Sequence, residues 1–156
     1  MEGIINKQKF HPFKTLREFR YRTAPQVELF NILIKIFPDA EMEYKIGGRI
    51  NKKGYHVRWA DIGIPSLKLD FEYDGSFHKE ALYRDFLDKR RDEELKMQGW
   101  ETFRINYKTL EIIKLDINKF IKIINLIINK SNNDNERFIN FLKLFLINLS
   151  EKGDKC

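Results

Sequence analysis

A chain of 156 residues, 42% hydrophobic and 33% charged, is long enough for one domain with a sizeable core. Its formal charge of +6 and pI near 9.3 favour a polyanionic partner. One cysteine, Cys156, excludes an intramolecular disulfide and a Cys-based zinc cluster. The absence of an apolar leader or an uncharged apolar run of about 18 residues sets the expectation of an intracellular, cytoplasmic protein with no membrane contact.

Residues 1–22 read as a basic, aromatic arm. Lys7, Lys9, Lys14, Arg17, Arg20 and Arg22 alternate irregularly with Phe10, Phe13, Phe19 and Tyr21, opposed by Glu2 and Glu18. Thr23-Ala24-Pro25-Gln26 has the form of a helix start, with a Thr cap, an early Pro and a Gln three residues on. The apolar stripe Val27, Phe30, Leu33, Ile34, Phe37 carries that helix to Phe37. A strand is expected over Glu41–Ile46, a hairpin loop at Asn51–Gly54, a second strand over Tyr55–Ile62 and a third over Leu67–Tyr73. A charged helix over Ala81–Gln98 stops at Gly99, and its charge run is most simply a solvated face. A fourth strand over Trp100–Ile105 precedes helices over 109–129 and 136–149 and a polar, frayed tail over 151–156. On the last helix Phe138, Phe141, Leu142, Phe145 and Leu149 form a stripe at core spacing. The order α-β-β-β-α-β-α-α predicts an α/β fold with a four-stranded mixed sheet flanked by helices.

The chemistry concentrates between Asp61 and His78. Residues 67–74 alternate strictly, so Lys68, Asp70, Glu72 and Asp74 share one strand face and Leu67, Leu69, Phe71 and Tyr73 the other. Such crowded carboxylates need a cation or solvent to relieve them. With Asp61 at the end of the preceding strand, a bend at Gly63-Ile64-Pro65 would let the acids converge on a hard cation, Mg²⁺ or Mn²⁺. His78 is a candidate general acid or base. From the residues alone, acids on an exposed strand face and a helix-capping His78 remain the alternative.

Asp61, the eleven-residue spacing to Glu72, the run Phe71-Glu72-Tyr73-Asp74-Gly75 and His78 resemble the restriction-endonuclease-like (PD-(D/E)XK) superfamily. The likeness is to the branch of very-short-patch-repair-like nicking endonucleases and the DUF559 domain. Arg91-Asp92 and Gly99-Trp100-Glu101-Thr102-Phe103-Arg104 extend it, so that it covers about residues 23–106. The resemblance implies a nuclease core over 23–106, C-terminal helices over 107–150 as an addition, and hydrolysis of a DNA phosphodiester with Mg²⁺ or Mn²⁺. It makes Asp61, Glu72 and Asp74 metal ligands, His78 a catalytic residue and Glu28 an accessory acid. Two departures stand out. Asp74 occupies the place of the usual Lys, and the Cys/His zinc site of the repair endonucleases is missing.

Phosphate contacts are expected from Lys52, Lys53, Arg58, Lys68, Arg84, Lys89, Arg90 and the arm. Nicking suits a monomer and double-strand cutting a homodimer, with room for a targeting partner and for association with the nucleoid. Two other classes stay open: a non-catalytic nucleic-acid-binding module, and an interaction protein using its C-terminal helices.

Overall fold

The computed structural model describes residues 23–47, 50–51, 54–55, 58–75 and 81–154, with the backbone alone at 50–51, 54–55, 81–87 and 154. The arm, Lys52, Lys53 and His78 lie outside the described residues, and of Arg84 only the backbone is described.

Helix α1 (Ala24–Leu33) begins as its sequence dictates. The Thr23 hydroxyl accepts from the Gln26 N–H, and the Gln26 side chain accepts from the Thr23 N–H, a reciprocal capping box. The helix closes earlier than its apolar stripe, in turns through Ile36 that still bury Ile36 and Phe37.

Strand β1 (Glu41–Ile46) leads to a two-residue ribbon, β2 (Ile50–Asn51) against β3 (Gly54–Tyr55). Strand β4 runs over Arg58–Ile64 and β5 over Leu69–Asp74. Helix α2 (Ala81–Met97) then crosses to β6 (Glu101–Asn106). The four-stranded sheet has the order β1-β4-β5-β6, antiparallel at the first two joins and parallel at the last.

The second strand therefore extends past Asp61 to Ile64, and residues 65–68 form a tight turn rather than the start of the third strand. Lys68 closes the turn at φ 52°, its N–H bonded to the Pro65 carbonyl. Gly63 is required by a close approach: a Cβ there would meet the Tyr44 Cβ at 2.5 Å. Gly99, at φ 83°, ends the α2 turn as expected of a left-handed C-cap position.

The helix expected over 109–129 is two helices, α3 (Tyr107–Leu115) and α4 (Ile117–Ser131). Asp116 leaves helical geometry, and its side chain accepts from the Lys119 N–H to cap α4. Helix α5 (Asn135–Asp154) continues through most of the expected tail, burying Gly153 against Lys108 and Ile112.

One face of the sheet (Ile62, Ile64, Leu69, Phe71, Phe103, Ile105) packs on α1, α3, α4 and α5 in a single core. The C-terminal helices are thus integral to that core, with Phe138 and Leu142 buried in it and Phe145 and Leu149 half-buried against it. The other face is covered by α2, whose Leu95 packs with Ile46, Ala60 and Trp100. No helix among the described residues is long and apolar enough to cross a membrane.

Candidate active site

The antiparallel register sets Ile62 opposite Phe71 and Gly63 opposite Asp70. Asp61 and Glu72 lie just beyond the last ladder pair, on adjacent strands, so no bend at Gly63-Ile64-Pro65 is needed to bring them together. At this point side chains take over the backbone ladder. Tyr73 N–H donates to Asp61 Oδ2 at 3.2 Å, and Asp61 N–H donates to Glu72 Oε1 at 3.3 Å. Each acid thus has one oxygen fixed to the neighbouring strand.

Asp70 and Asp74 flank Glu72 on β5, each roughly 7 Å along the strand on the same face. Asp74 is exposed at the strand end, opposite Asn106 of β6. Asp70 is fully buried. Its Oδ2 accepts from the Thr102 hydroxyl at 3.2 Å, and its Oδ1 has no hydrogen-bond partner among the described residues.

Arg91 of α2 reaches into this group. One guanidinium nitrogen donates to the Trp59 carbonyl at 2.5 Å and to Glu72 Oε1, and lies 3.5 Å from Asp70 Oδ2. The charge run of α2 is consequently not a simple solvated face. Arg91 points inward with its side chain 18% exposed, Asp92 pairs with Arg104, and Glu94 pairs with Arg58.

Electrostatics follow from this packing. Burial, reinforced by the charge of Glu72, pushes Asp61 up to about 6, while bonds from the Tyr73 N–H and Gln26 work the other way. Burial and Glu72 push Asp70 further, to about 9, against the pull of Arg91. Burial also works to raise Glu72, but the bond and charge of Arg91 outweigh it and hold Glu72 below the ordinary value. The Arg91 guanidinium is held more firmly protonated than usual, because Glu72 and Asp70 overcome its own burial. The surroundings therefore push the acids apart: Asp61 and Asp70 toward holding a proton, Glu72 toward staying ionised.

The other expected site residues are dispersed. Glu28 is exposed on α1 and pairs with Lys114 at 3.0 Å. Arg58 donates twice to Glu94 Oε2, and Arg90 also lies 3.6 Å from Glu94, so both are engaged in ion pairs on α2. Lys68 donates to the Gln98 carbonyl at 3.3 Å, and Lys89 is exposed. A cavity of about 250 Å³ between β6 and α5, lined in part by Thr109, Lys143 and Ser150, contains none of these acids.

Two participants were named in the sequence without being assigned to the site. Asp70 was legible as a member of the acidic face, but its full burial depends on α2 and Thr102. Arg91 carried a signal in its spacing: Leu87, Arg91 and Leu95 recur at i, i+4, i+8, the period of one helix face.

Carboxylate oxygens are the donor type that suits a hard divalent cation. Among the described residues, however, no group of three His, Cys, Asp or Glu side chains is placed to hold a metal ion. Comparison with family models, with curated proteins and with solved structures finds no match for the chain.

Proposed function

We propose that the chain is a divalent-metal-dependent DNA endonuclease of restriction-endonuclease-like fold. The observation that carries this reading is the pairing of Asp61 with Glu72 across β4 and β5, each anchored through one oxygen. Asp74 stands one strand repeat beyond, exposed. The resemblance gives Mg²⁺ or Mn²⁺ to Asp61, Glu72 and Asp74. As placed only Asp61 and Glu72 meet, so an ion there would need a third ligand to close on it. Once bound it would orient water and offset charge on the phosphate.

The chain's own groups divide the remaining work. The β4–β5 register and the backbone N–H groups of Asp61 and Tyr73 orient the two acids. Asp74, in the place of the family's Lys, leaves no ammonium there, and His78 is assigned the proton transfer. Gln26 of α1 lies beside Asp61. The main phosphate contact is assigned to the basic residues of 1–22, a role that Arg58 and Arg90 share less readily because they are engaged with Glu94.

A second reading, a non-catalytic nucleic-acid-binding module, is favoured by one observation: Arg91 already bonds Glu72 in the centre of the acid group. Incubation with supercoiled plasmid in Mg²⁺, Mn²⁺ and EDTA separates the two. Nicking that EDTA blocks, and that falls about 10²–10⁴-fold in His78→Ala, supports the enzyme. A gel shift without cleavage supports the binder. Removing residues 1–22 should lower the slope of log affinity against log salt by about 0.9 for each phosphate that the arm neutralises.

A further inference from the structure

We infer that α5 carries a self-association surface, on which a second copy of the chain docks with its own α5 antiparallel, about a twofold axis at Leu144. The inference stands apart from the nuclease reading and uses none of its acids.

Helix α5 has two apolar faces with different fates. Phe138, Leu142 and Leu146 enter the core and anchor the helix. On another face Leu144 and Ile147 stay 61% and 54% exposed, three positions apart and so neighbours on the helix surface. Single exposed apolar residues are ordinary, but this pair does not stand alone. Arg137, Asn140 and Glu151, all exposed, extend it along the helix. The five positions alternate in steps of three and four, the spacing of a seam between paired helices.

The order of residues along the seam is self-complementary. Leu144 lies midway between Arg137 and Glu151. An antiparallel copy centred there sets Leu144 against its own counterpart, Ile147 beside the partner's Asn140, and Arg137 against the partner's Glu151. The twofold axis makes each of these contacts twice. Neither Arg137 nor Glu151 joins an ion pair among the described residues, and Arg137 lies over the Phe141 ring at 5.5 Å. Each also sits at the end of α5 where the helix dipole disfavours its sign, the base in the first turn and the acid in the last. An antiparallel partner supplies both the opposite charge and the opposite helix end. A parallel copy would set Arg137 on Arg137 and Glu151 on Glu151, so repulsion selects the antiparallel arrangement.

The test is sedimentation velocity of the full chain from about 1 to about 200 µM, a range that saturates a micromolar association. Wild type should sediment as a dimer at the upper end and dissociate on dilution. Leu144→Lys, at an exposed position, should weaken association at least about tenfold. Arg137→Glu should weaken it at least about threefold, because like charges then meet at both ends of the seam. Adding Glu151→Arg to Arg137→Glu should bring affinity back to within about twofold of wild type. A wild type that stays monomeric overturns the inference and leaves the stripe to a different partner. A dimer that Leu144→Lys does not weaken overturns it too, since another surface then holds the copies together. A double reversal that recovers nothing overturns the antiparallel register. Circular dichroism confirms that each variant is folded. If Leu144→Lys is not, Ile147→Lys replaces it and is held to the same tenfold loss.

Discussion

The two faces of β5 share one backbone and obey different physics. Leu69 and Phe71 point into the main core, where Phe71 stacks on Phe103 at 5.4 Å between ring centroids and meets Phe37 at 6.5 Å. Asp70 and Glu72 point to the other side and are buried almost as deeply, beneath α2. On the first face burial is itself the stabilising force. On the second it is a cost, offset by Arg91, Thr102 and retention of a proton on Asp70. A stable strand whose one face is kept at a cost is a common arrangement where a site has been built.

The largest expected effect breaks the apolar face. Phe71→Ala should cost about 3–5 kcal/mol, as removal of a buried aromatic from a packed core does. Urea denaturation measures it, and a loss below about 1 kcal/mol would mean that this face is not the main source of stability.

The acidic face should respond to pH instead. Asp70 binds a proton more tightly in the fold, with a value of about 9 against about 3.9 unfolded. The folded state therefore holds the extra proton between those values, and stability falls as pH rises through that window. Asp61 adds to the fall between about 4 and about 6. Glu72, held low, works in the opposite sense and loses its contribution as pH drops below its ordinary range. Asp70→Asn cannot titrate and keeps an acceptor for Thr102. It should flatten the decline between pH 6 and 8 and be more stable than wild type at pH 8. The gain should be at least about 1.4 kcal/mol, the worth of one pKa unit. Parallel slopes in the two proteins would show that Asp70 is ionised in the fold.

The smallest effect lies at the rim of the same face. Arg104, opposite Glu72 on β6, pairs with Asp92 at 2.6 Å, both side chains about one-third exposed. Arg104→Ala should cost no more than about 1 kcal/mol, as partly exposed ion pairs do, and less in high salt. A loss of several kcal/mol would extend the buried charge network outward to the rim.

The difference between the faces also explains what could be read in advance. Strand alternation, the Thr23 capping box and the Gly99 stop are local, set by residues within four positions of one another, and they appear in the fold as the sequence implies. The break at Asp116 is local too. It was hidden because Leu110–Ile128 reads as one apolar helical run, in which an internal Asp-x-x-Lys cap is easily taken for a surface acid. The roles of Asp70 and Arg91 are not local. They sit 21 positions apart and acquire meaning only when α2 folds over β5. Facing of Asp61 and Glu72 lay between these cases: the spacing was visible, but extension of β4 to Ile64 and the turn at 65–68 set the register.

The central claim is that Asp61 and Glu72 form a working pair and not merely a buried one. The direct measurement is the rate of Mg²⁺-dependent relaxation of supercoiled plasmid by wild type, Asp61→Asn and Glu72→Gln, purified in parallel and confirmed folded by circular dichroism. The account predicts that wild type nicks the plasmid and that each substitution, which removes charge but little volume, lowers the rate at least about a hundredfold. Cleavage by Asp61→Asn at the wild-type rate would contradict it.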